Sequence, residues 1–169
     1  MLKDGRVDPQ GAGGDSSMAM ADLFPEANDI LSLSPANKTE LFEMLATAMA
    51  GRLQQPAETV LEAILARERL GSTALGRGVA MPHARVDWLD RPAAVLARLT
   101  RPIEMDARDG EPVDLVFLVL WPEAASEGFL PALSNICRAL RDNQLPRQLR
   151  QAGSAAEALR SLRAADQLL

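Results

Sequence analysis

Residues 67–85, which read RERLGSTALGRGVAMPHAR, are the stretch from which the rest of the chain can be interpreted. They contain the only histidine of the 169 residues, His83, and Pro82 stands directly before it. Three glycines and two hydroxyl residues precede the histidine within a dozen positions, and arginines lie on both sides of it. Glycine permits tight turns, so the pattern predicts a loop that leads into a short strand at residues 79–81, with His83 at the end of that strand.

A histidine on such a loop can accept a phosphoryl group. At an ordinary pKa of about 6.5 the imidazole is mostly neutral at pH 7, so a ring nitrogen can attack phosphorus. A guanidinium suits phosphate oxygens, and Arg67 is the best candidate to stabilise them. Neutral donors for phosphate binding are predicted from the hydroxyl groups and from backbone N–H groups near the glycines: Ser72, Thr73, Gly76 and Gly78. The residues alone leave an alternative open, because a lone histidine is more often structural or merely exposed.

Composition argues against several classes of function. A net charge of −5 at pH 7 disfavours nucleic-acid binding, which depends on Lys and Arg that neutralise phosphates. No apolar run reaches the roughly 18 residues of a membrane span. One cysteine and one histidine cannot build the usual zinc sites, no Walker lysine motif indicates a nucleotide, and neither a metal nor a cofactor is expected. The lone Cys137, predicted to lie in the core, and the lack of a signal peptide favour a cytoplasmic protein.

Outside the central stretch, the pattern predicts one α/β domain. Residues 1–20 are rich in Gly, Asp and Ser and are predicted to be a disordered tail, whereas residues 21–169 form the domain. An almost unbroken apolar run at residues 113–121 predicts a strand that is buried on both faces. The other predicted elements are a strand at residues 30–34, a helix from Asn37 to Gly51, a helix from Pro56 to Gly71, a strand at residues 94–99 that Arg101-Pro102 ends, and helices over residues 131–140, residues 145–149 and after Ser154.

The central stretch resembles the signature of a known family. Residues 67–73, RERLGST, followed by residues 76–83, GRGVAMPH, are similar to the IIA domains of the phosphoenolpyruvate:sugar phosphotransferase system. The resemblance is to the mannitol/fructose type, and within it to the nitrogen-regulatory IIA branch. It extends from about residue 23 to the C-terminus, and residues 112–115, PVDL, fit the flanking pattern.

The resemblance implies both a fold and a function. The fold would be α/β, with a mixed β-sheet flanked by helices on both sides. His83 would take a phosphoryl group from an HPr-like phosphocarrier protein, with Arg67 assisting. The implied activity is that of a phosphotransferase-type phosphohistidine carrier, which signals nitrogen/carbon or potassium status through phosphorylation-dependent partner binding. A kinase or a potassium transporter is the kind of target that it would regulate.

Two positions depart from the family pattern. Family members usually carry a second histidine near the start of the helix after the buried strand, where this chain has Phe129, and commonly a glycine where it has Ala84. Phenylalanine cannot donate to a phosphate or orient an imidazole. The alternative is therefore a non-catalytic regulatory module that acts by protein contact alone. No sugar-transport domain accompanies the motif, which favours regulation over sugar uptake.

Overall fold

The computed structural model describes residues 18–168. Within these residues the chain forms a six-stranded sheet and five α-helices. In chain order the elements are β1 (Ile30–Leu33), α1 (Lys38–Leu53), α2 (Ala57–Glu68), β2 (Ala74–Gly76), β3 (Val79–Ala80), β4 (His83–Val86), β5 (Ala93–Ile103), β6 (Val113–Pro122), α3 (Phe129–Ala139), α4 (Gln144–Gln151) and α5 (Ala155–Asp166). Short 3-10 helices cover Met20–Leu23, Ala27–Asp29 and Glu123–Gly128.

Strand β6 is the centre of the sheet. It runs antiparallel to β5, and it runs parallel to β3 and to β4 along its other edge. Strand β1 lies parallel to β5, and β2 lies antiparallel to β3. Every residue of β6 except Asp114 is buried, so the prediction of a strand buried on both faces at residues 113–121 is confirmed.

Helices cover both faces of this mixed sheet, as expected. Successive residues of β6 point to opposite faces, so its apolar residues serve two separate clusters. One cluster packs β6 with α3, α4 and α5, and the other packs it with α1 and α2. The first receives Leu115, Phe117, Val119 and Trp121 from β6, and the second receives Val116, Leu118 and Leu120.

Several predicted boundaries differ from the observed ones. Asn37 caps α1 as predicted, with its Oδ1 accepting from the backbone N–H of Glu40 at 2.9 Å. The helix runs past Gly51 and ends at Leu53, because Gln54 adopts the left-handed conformation at φ 54°. Helix α2 ends at Glu68 rather than at Gly71. Strand β5 continues through the predicted stop at Arg101-Pro102, because its pairing register shifts between Arg98 and Ile103 and proline need not donate there.

Two further predictions need correction. Residues 1–17 of the predicted tail lie outside the described residues, but Met20 is only 1% exposed and its N–H donates to Asp166 Oδ1 at 3.0 Å. Ordered structure therefore begins before residue 21. Cys137 was expected in the core and is exposed. The buried stripe of α3 is centred on Leu133 and Ile136, which places Cys137 at its solvent edge.

The turn between β2 and β3 is held by arginines. Gly76 and Gly78 have φ angles of +88° and +80°, as expected of a tight turn that glycine permits. The Arg150 guanidinium donates to both oxygens of Asp114 and, at 2.9 Å, to the carbonyl of Arg77. The Arg77 guanidinium in turn donates to two carbonyls just beyond the end of α3. The turn is thereby fixed to the helical layer.

Gly78→Ala is expected to lower the free energy of unfolding by about 1–3 kcal/mol, because it strains a left-handed backbone and crowds a packed network. A Cβ at this position would lie 2.7 Å from Arg150 Nη2 and 3.2 Å from Asp114 Oδ1. Gly51→Ala is the matched control, since a Cβ there meets nothing within 4 Å and alanine favours the helix by up to about 1 kcal/mol. Urea unfolding of both variants measures the difference, and an equal response would contradict this account of the turn.

Candidate functional site

His83 begins strand β4 rather than ending β3, so the prediction of its place in the strand is corrected. β3 stops at Ala80, and β4 then pairs with β6 so that His83 lies opposite Val119. The interruption falls at Met81-Pro82, where proline has no N–H to donate to a ladder. Pro82 still accepts from the N–H of Val119 at 2.9 Å. The histidine is thus held by a short strand against the central strand of the sheet.

The imidazole of His83 is half-buried and has a partner at each ring nitrogen. Its Nδ1 lies 2.8 Å from the carbonyl oxygen of Met81. A carbonyl only accepts, so Nδ1 carries the proton in this arrangement and Nε2 of the neutral ring carries the lone pair. Arg67 Nε donates to that Nε2 at 3.4 Å. The assignment of the tautomer follows from these two partners together.

Arg67 lies in the last turn of α2, and the structure brings it to His83 as the sequence predicted. Its Nη1 also donates to the carbonyl of Gly71 at 3.0 Å, so the guanidinium joins the imidazole to the loop that follows the helix. Helix α2 packs against β4, which explains why residues 16 positions apart meet here.

Glu68 belongs to the site but was not identified from the sequence. Lys38 Nζ lies 2.7 Å from Glu68 Oε1, and Thr73 Oγ1 donates to Glu68 Oε2 at 2.8 Å. The carboxylate therefore connects α1, α2 and the loop before β2. Its position directly after Arg67 was the only signal available in the sequence, because both of its partners depend on the fold.

The hydroxyl groups predicted to bind phosphate are bonded elsewhere. Ser72 Oγ donates to the carbonyl of Met105 at 2.7 Å, and Thr73, which is buried, donates to Glu68. Thr73 also accepts the N–H of Met81 at 2.9 Å through its carbonyl. These hydrogen bonds fix the loop and the strand that carry the histidine, and a contact of either residue with phosphate stays a prediction.

Gly76 and Gly78 lie away from the histidine, which corrects their predicted place at the phosphate. The carbonyl of Gly78 accepts from Leu115, whereas His83 pairs with Val119 on the same strand. Four residues of a strand span about 13 Å, so backbone N–H groups at the turn cannot meet a group bound to the imidazole. The glycines shape the β2–β3 turn.

Phe129 forms an aromatic wall beside the imidazole. Its ring centroid lies 5.7 Å from that of His83 and 5.9 Å from that of Trp121. Phe129 is the first residue of α3 and is buried, so it occupies the place where the family resemblance led us to expect a second histidine. This wall contributes no hydrogen-bond donor to the site.

The pKa of His83 is lowered from its ordinary value of 6.5, first because burial disfavours the charged ring. The hydrogen bond to Met81 raises this pKa, the Arg67 charge lowers it, and the Glu68 charge raises it. The net effect keeps the ring neutral at pH 7, with Nε2 able to act as a nucleophile. Among residues 18–168, no group of three or more His, Cys, Asp or Glu side chains could hold a metal ion.

We expect the imidazole resonances of His83 to titrate with a midpoint below 6.5. Arg67→Gln should raise the midpoint and Glu68→Gln should lower it further, because the two charges act in opposite directions. The lowered pKa also makes stability depend on pH. Between the pKa of His83 in the folded chain and that in the unfolded chain, the unfolded chain binds more protons, so acidification through this range lowers the free energy of unfolding. NMR titration gives the midpoint of His83 in the wild-type protein and in both variants, and the chain has no other histidine to confuse the assignment. A change of the midpoint in the same direction in both variants would contradict the assigned geometry.

The fold and the site define a class of protein: an α/β domain that holds one half-buried imidazole between a backbone carbonyl and a guanidinium. The family description "Phosphoenolpyruvate-dependent sugar phosphotransferase system, EIIA 2" matches residues 23–165, and the chain belongs to this family. The resemblance seen in the signature is therefore confirmed. In the part of the chain that the structure describes, no helix has both the length and the apolar character needed to cross a membrane.

Within the family, the chain is similar to nitrogen regulatory proteins. It is 40% identical over 138 residues to the nitrogen regulatory protein of Bradyrhizobium diazoefficiens, a match that covers 82% of this chain and 90% of the relative. The crystal structure of nitrogen regulatory protein IIA-Ntr from Neisseria meningitidis superimposes with a TM-score of 0.78 at 33% identity, covering 81% of this chain and 94% of that one. IIA mannitol from Escherichia coli shares the fold, with a TM-score of 0.69 at 22% identity over 81% of this chain and 97% of that one.

Proposed function

We propose that the protein is a regulatory phosphocarrier in which Nε2 of His83 accepts a phosphoryl group from an HPr-like phosphocarrier protein. The observation that carries this proposal is the pair of contacts at the imidazole. Met81 holds the proton on Nδ1, and Arg67 directs its Nε–H at the lone pair of Nε2. For the attack this long hydrogen bond breaks, which frees the lone pair, and the guanidinium turns to the phosphoryl oxygens as the new bond forms. Membership of a phosphotransferase family supports the same chemistry.

The transfer step requires little from the protein beyond positioning and charge. The Nε2 lone pair forms a bond to phosphorus, while the bond between phosphorus and the carrier breaks and its electron pair leaves with the carrier. The Nδ1 proton stays on the ring, which gains positive charge. The hydrogen bond to Met81 and the Glu68 carboxylate both favour that charge, and Arg67 balances the phosphoryl oxygens.

The regulatory part of the proposal rests on similarity to relatives named nitrogen regulatory proteins. A phosphoryl group brings a charge of nearly −2 to the surface beside His83. That charge can switch the binding of a target such as a kinase or a potassium transporter, and so signal nitrogen/carbon or potassium status in the cytoplasm. A pull-down that compares His83→Ala with His83→Asp would identify targets that respond to the charge.

A second candidate is a regulatory module that binds partners by contact alone. The observation that favours it is Phe129, an apolar ring beside the imidazole at the position where the family resemblance led us to expect a second histidine. In that case phosphate would not be accepted at a useful rate. The two candidates differ in whether the protein is labelled at all.

The deciding experiment is labelling of the wild-type protein with phosphoenolpyruvate, enzyme I and an HPr-like carrier, followed by intact-mass measurement. We expect one acid-labile phosphoryl group per chain, mapped to the peptide that contains His83. NMR of the phosphorylated imidazole should place the phosphorus on Nε2. An unlabelled protein would overturn the carrier proposal in favour of the binding module, and attachment at Nδ1 would overturn the assignment of the nucleophilic atom.

A further inference from the structure

A second arginine shares the face of β4 that carries the imidazole. Along this strand His83 is half-buried, Ala84 is buried, Arg85 is exposed and Val86 is buried. This alternation puts His83 and Arg85 on one side, about 6.6 Å apart along the strand. Their neighbours on β6 in register are Val119 and Trp121, which face the same side.

Phe129 lies close to both side chains. Its ring centroid is 5.7 Å from that of His83, and the Arg85 guanidinium carbon is 5.9 Å from the same Phe129 centroid. The His83 imidazole, the Phe129 ring and the Arg85 guanidinium therefore form one cluster, in which the guanidinium makes a cation–π interaction with Phe129. Within the described residues, the hydrogen-bond partners of the imidazole are Met81 and Arg67, so the Arg85 guanidinium lies near the site without a hydrogen bond to the unphosphorylated ring.

Arg85 is weakly bonded to the rest of the described chain. Its Nη1 donates to Ser126 Oγ at 3.4 Å, a long hydrogen bond, and among residues 18–168 it forms no ion pair with a carboxylate. Other arginines of the fold are occupied, such as Arg77 on the carbonyls after α3 and Arg150 on Asp114. A cation that is supported by an aromatic ring and weakly bonded can turn towards a new anion at little cost.

We propose that Arg85 is a second phosphate-binding residue, which turns from its resting place over Phe129 to the phosphoryl group once that group is on Nε2 of His83. This inference rests on the proposed function. A phosphoryl dianion bonded to Nε2 meets one guanidinium from Arg67 and an apolar wall from Phe129. Arg85 supplies the second charge-assisted donor that this wall cannot provide.

The test compares the wild-type protein with Arg85→Gln and Arg85→Lys. Arg85→Gln should shift the phosphoryl equilibrium between the carrier and His83 back towards the carrier by about ten- to a hundredfold, because one hydrogen bond to a charged group is lost. Phosphohistidine hydrolysis should be faster in the same variant. Arg85→Lys keeps the charge and should recover part of both effects. Arg160→Gln, an exposed arginine on α5, is the control for the change in net charge.

Two further measurements separate phosphate binding from carrier docking. Labelling with phosphoramidate, a small chemical donor, bypasses the carrier, and the hydrolysis rate of the labelled protein then depends on the site alone. The guanidinium resonance of Arg85 should shift on phosphorylation, which a purely structural role would not produce. Thermal unfolding of each variant confirms that the fold is retained.

The outcomes are distinguishable. If the wild-type protein is not labelled by the carrier or by phosphoramidate, the proposed function fails and this inference fails with it. If the wild-type protein is labelled and phosphorylated Arg85→Gln behaves like it in equilibrium and hydrolysis, only the role of Arg85 is overturned. If transfer from the carrier is impaired but hydrolysis after phosphoramidate labelling is unchanged, Arg85 contacts the carrier and the phosphate-binding role is also overturned.

Discussion

His83→Ala is expected to lose all phosphoryl labelling by phosphoenolpyruvate, enzyme I and the HPr-like carrier. The variant removes the atom that forms the bond to phosphorus, and the chain contains no other imidazole that could replace it. Intact-mass measurement after exhaustive incubation gives the result directly. Because the side chain is half-buried and does not fill the core, the fold should survive the change.

His83→Gln is the matched control, since it keeps a polar side chain of similar reach without the nucleophilic ring. It should also remain unlabelled, and both variants should unfold with midpoints close to that of the wild-type protein. Acid-labile label on either variant, on any residue, would contradict the assignment of His83 as the acceptor.

Arg67→Ala should reduce the rate of transfer to His83 by about 10²–10³-fold, the loss typical of removing one preorganised donor at a site of developing charge. The variant leaves the Nδ1 bond to Met81 in place, so the ring keeps its orientation while the guanidinium at Nε2 is lost. Single-turnover transfer from the phosphorylated carrier, stopped by rapid quench, measures this rate. The carrier concentration must be varied, so that weaker docking is separated from slower chemistry.

Two further variants serve as comparisons for the transfer rate of Arg67→Ala. Arg67→Lys retains the charge but loses the planar fork, and we expect an intermediate rate. Arg69→Ala removes an exposed arginine just beyond the end of α2 and should transfer at nearly the wild-type rate. Equal rates for Arg67→Ala and wild type would remove Arg67 from the mechanism, and an equal loss in Arg69→Ala would indicate a general electrostatic effect instead.

The elements of the fold could be predicted where local chemistry decides them. The Asn37 side chain caps a helix through a partner three residues away, and the apolar run of β6 can only be stable when covered on both sides. Arg67 was named from the residues as the best candidate to assist His83, and the family signature supported that choice, although no spacing rule brings residues 16 apart on different elements together. The fold class and the two central residues, Arg67 and His83, could thus be predicted from the sequence.

The partners of the polar side chains could not be predicted in the same way. The hydroxyl groups of Ser72 and Thr73 can donate to a phosphate, a carbonyl or a carboxylate equally well. Which acceptor each one bonds depends on Met105 and Glu68, which the folded chain places nearby. Gly76 and Gly78 were close to His83 in sequence, yet the parallel register along β6 separates them in space. Arg85 was noted in the sequence only as one of the arginines around His83, and its contact with Phe129 at the start of α3 became evident only in the folded chain.

In the described part of the chain, residues 18–168, strand β4 pairs with β6 alone and leaves its other edge without a strand, and α2 packs against it. An uncovered strand edge invites pairing with other chains, and native folds protect such edges with helices and prolines. Helix α2, which packs against β4 as part of the layer on one face of the sheet, also carries Arg67. Loosening α2 would therefore displace Arg67 and uncover the apolar residues that α2 buries against the sheet at the same time, so variants in this helix should be examined for turbidity as well as for activity.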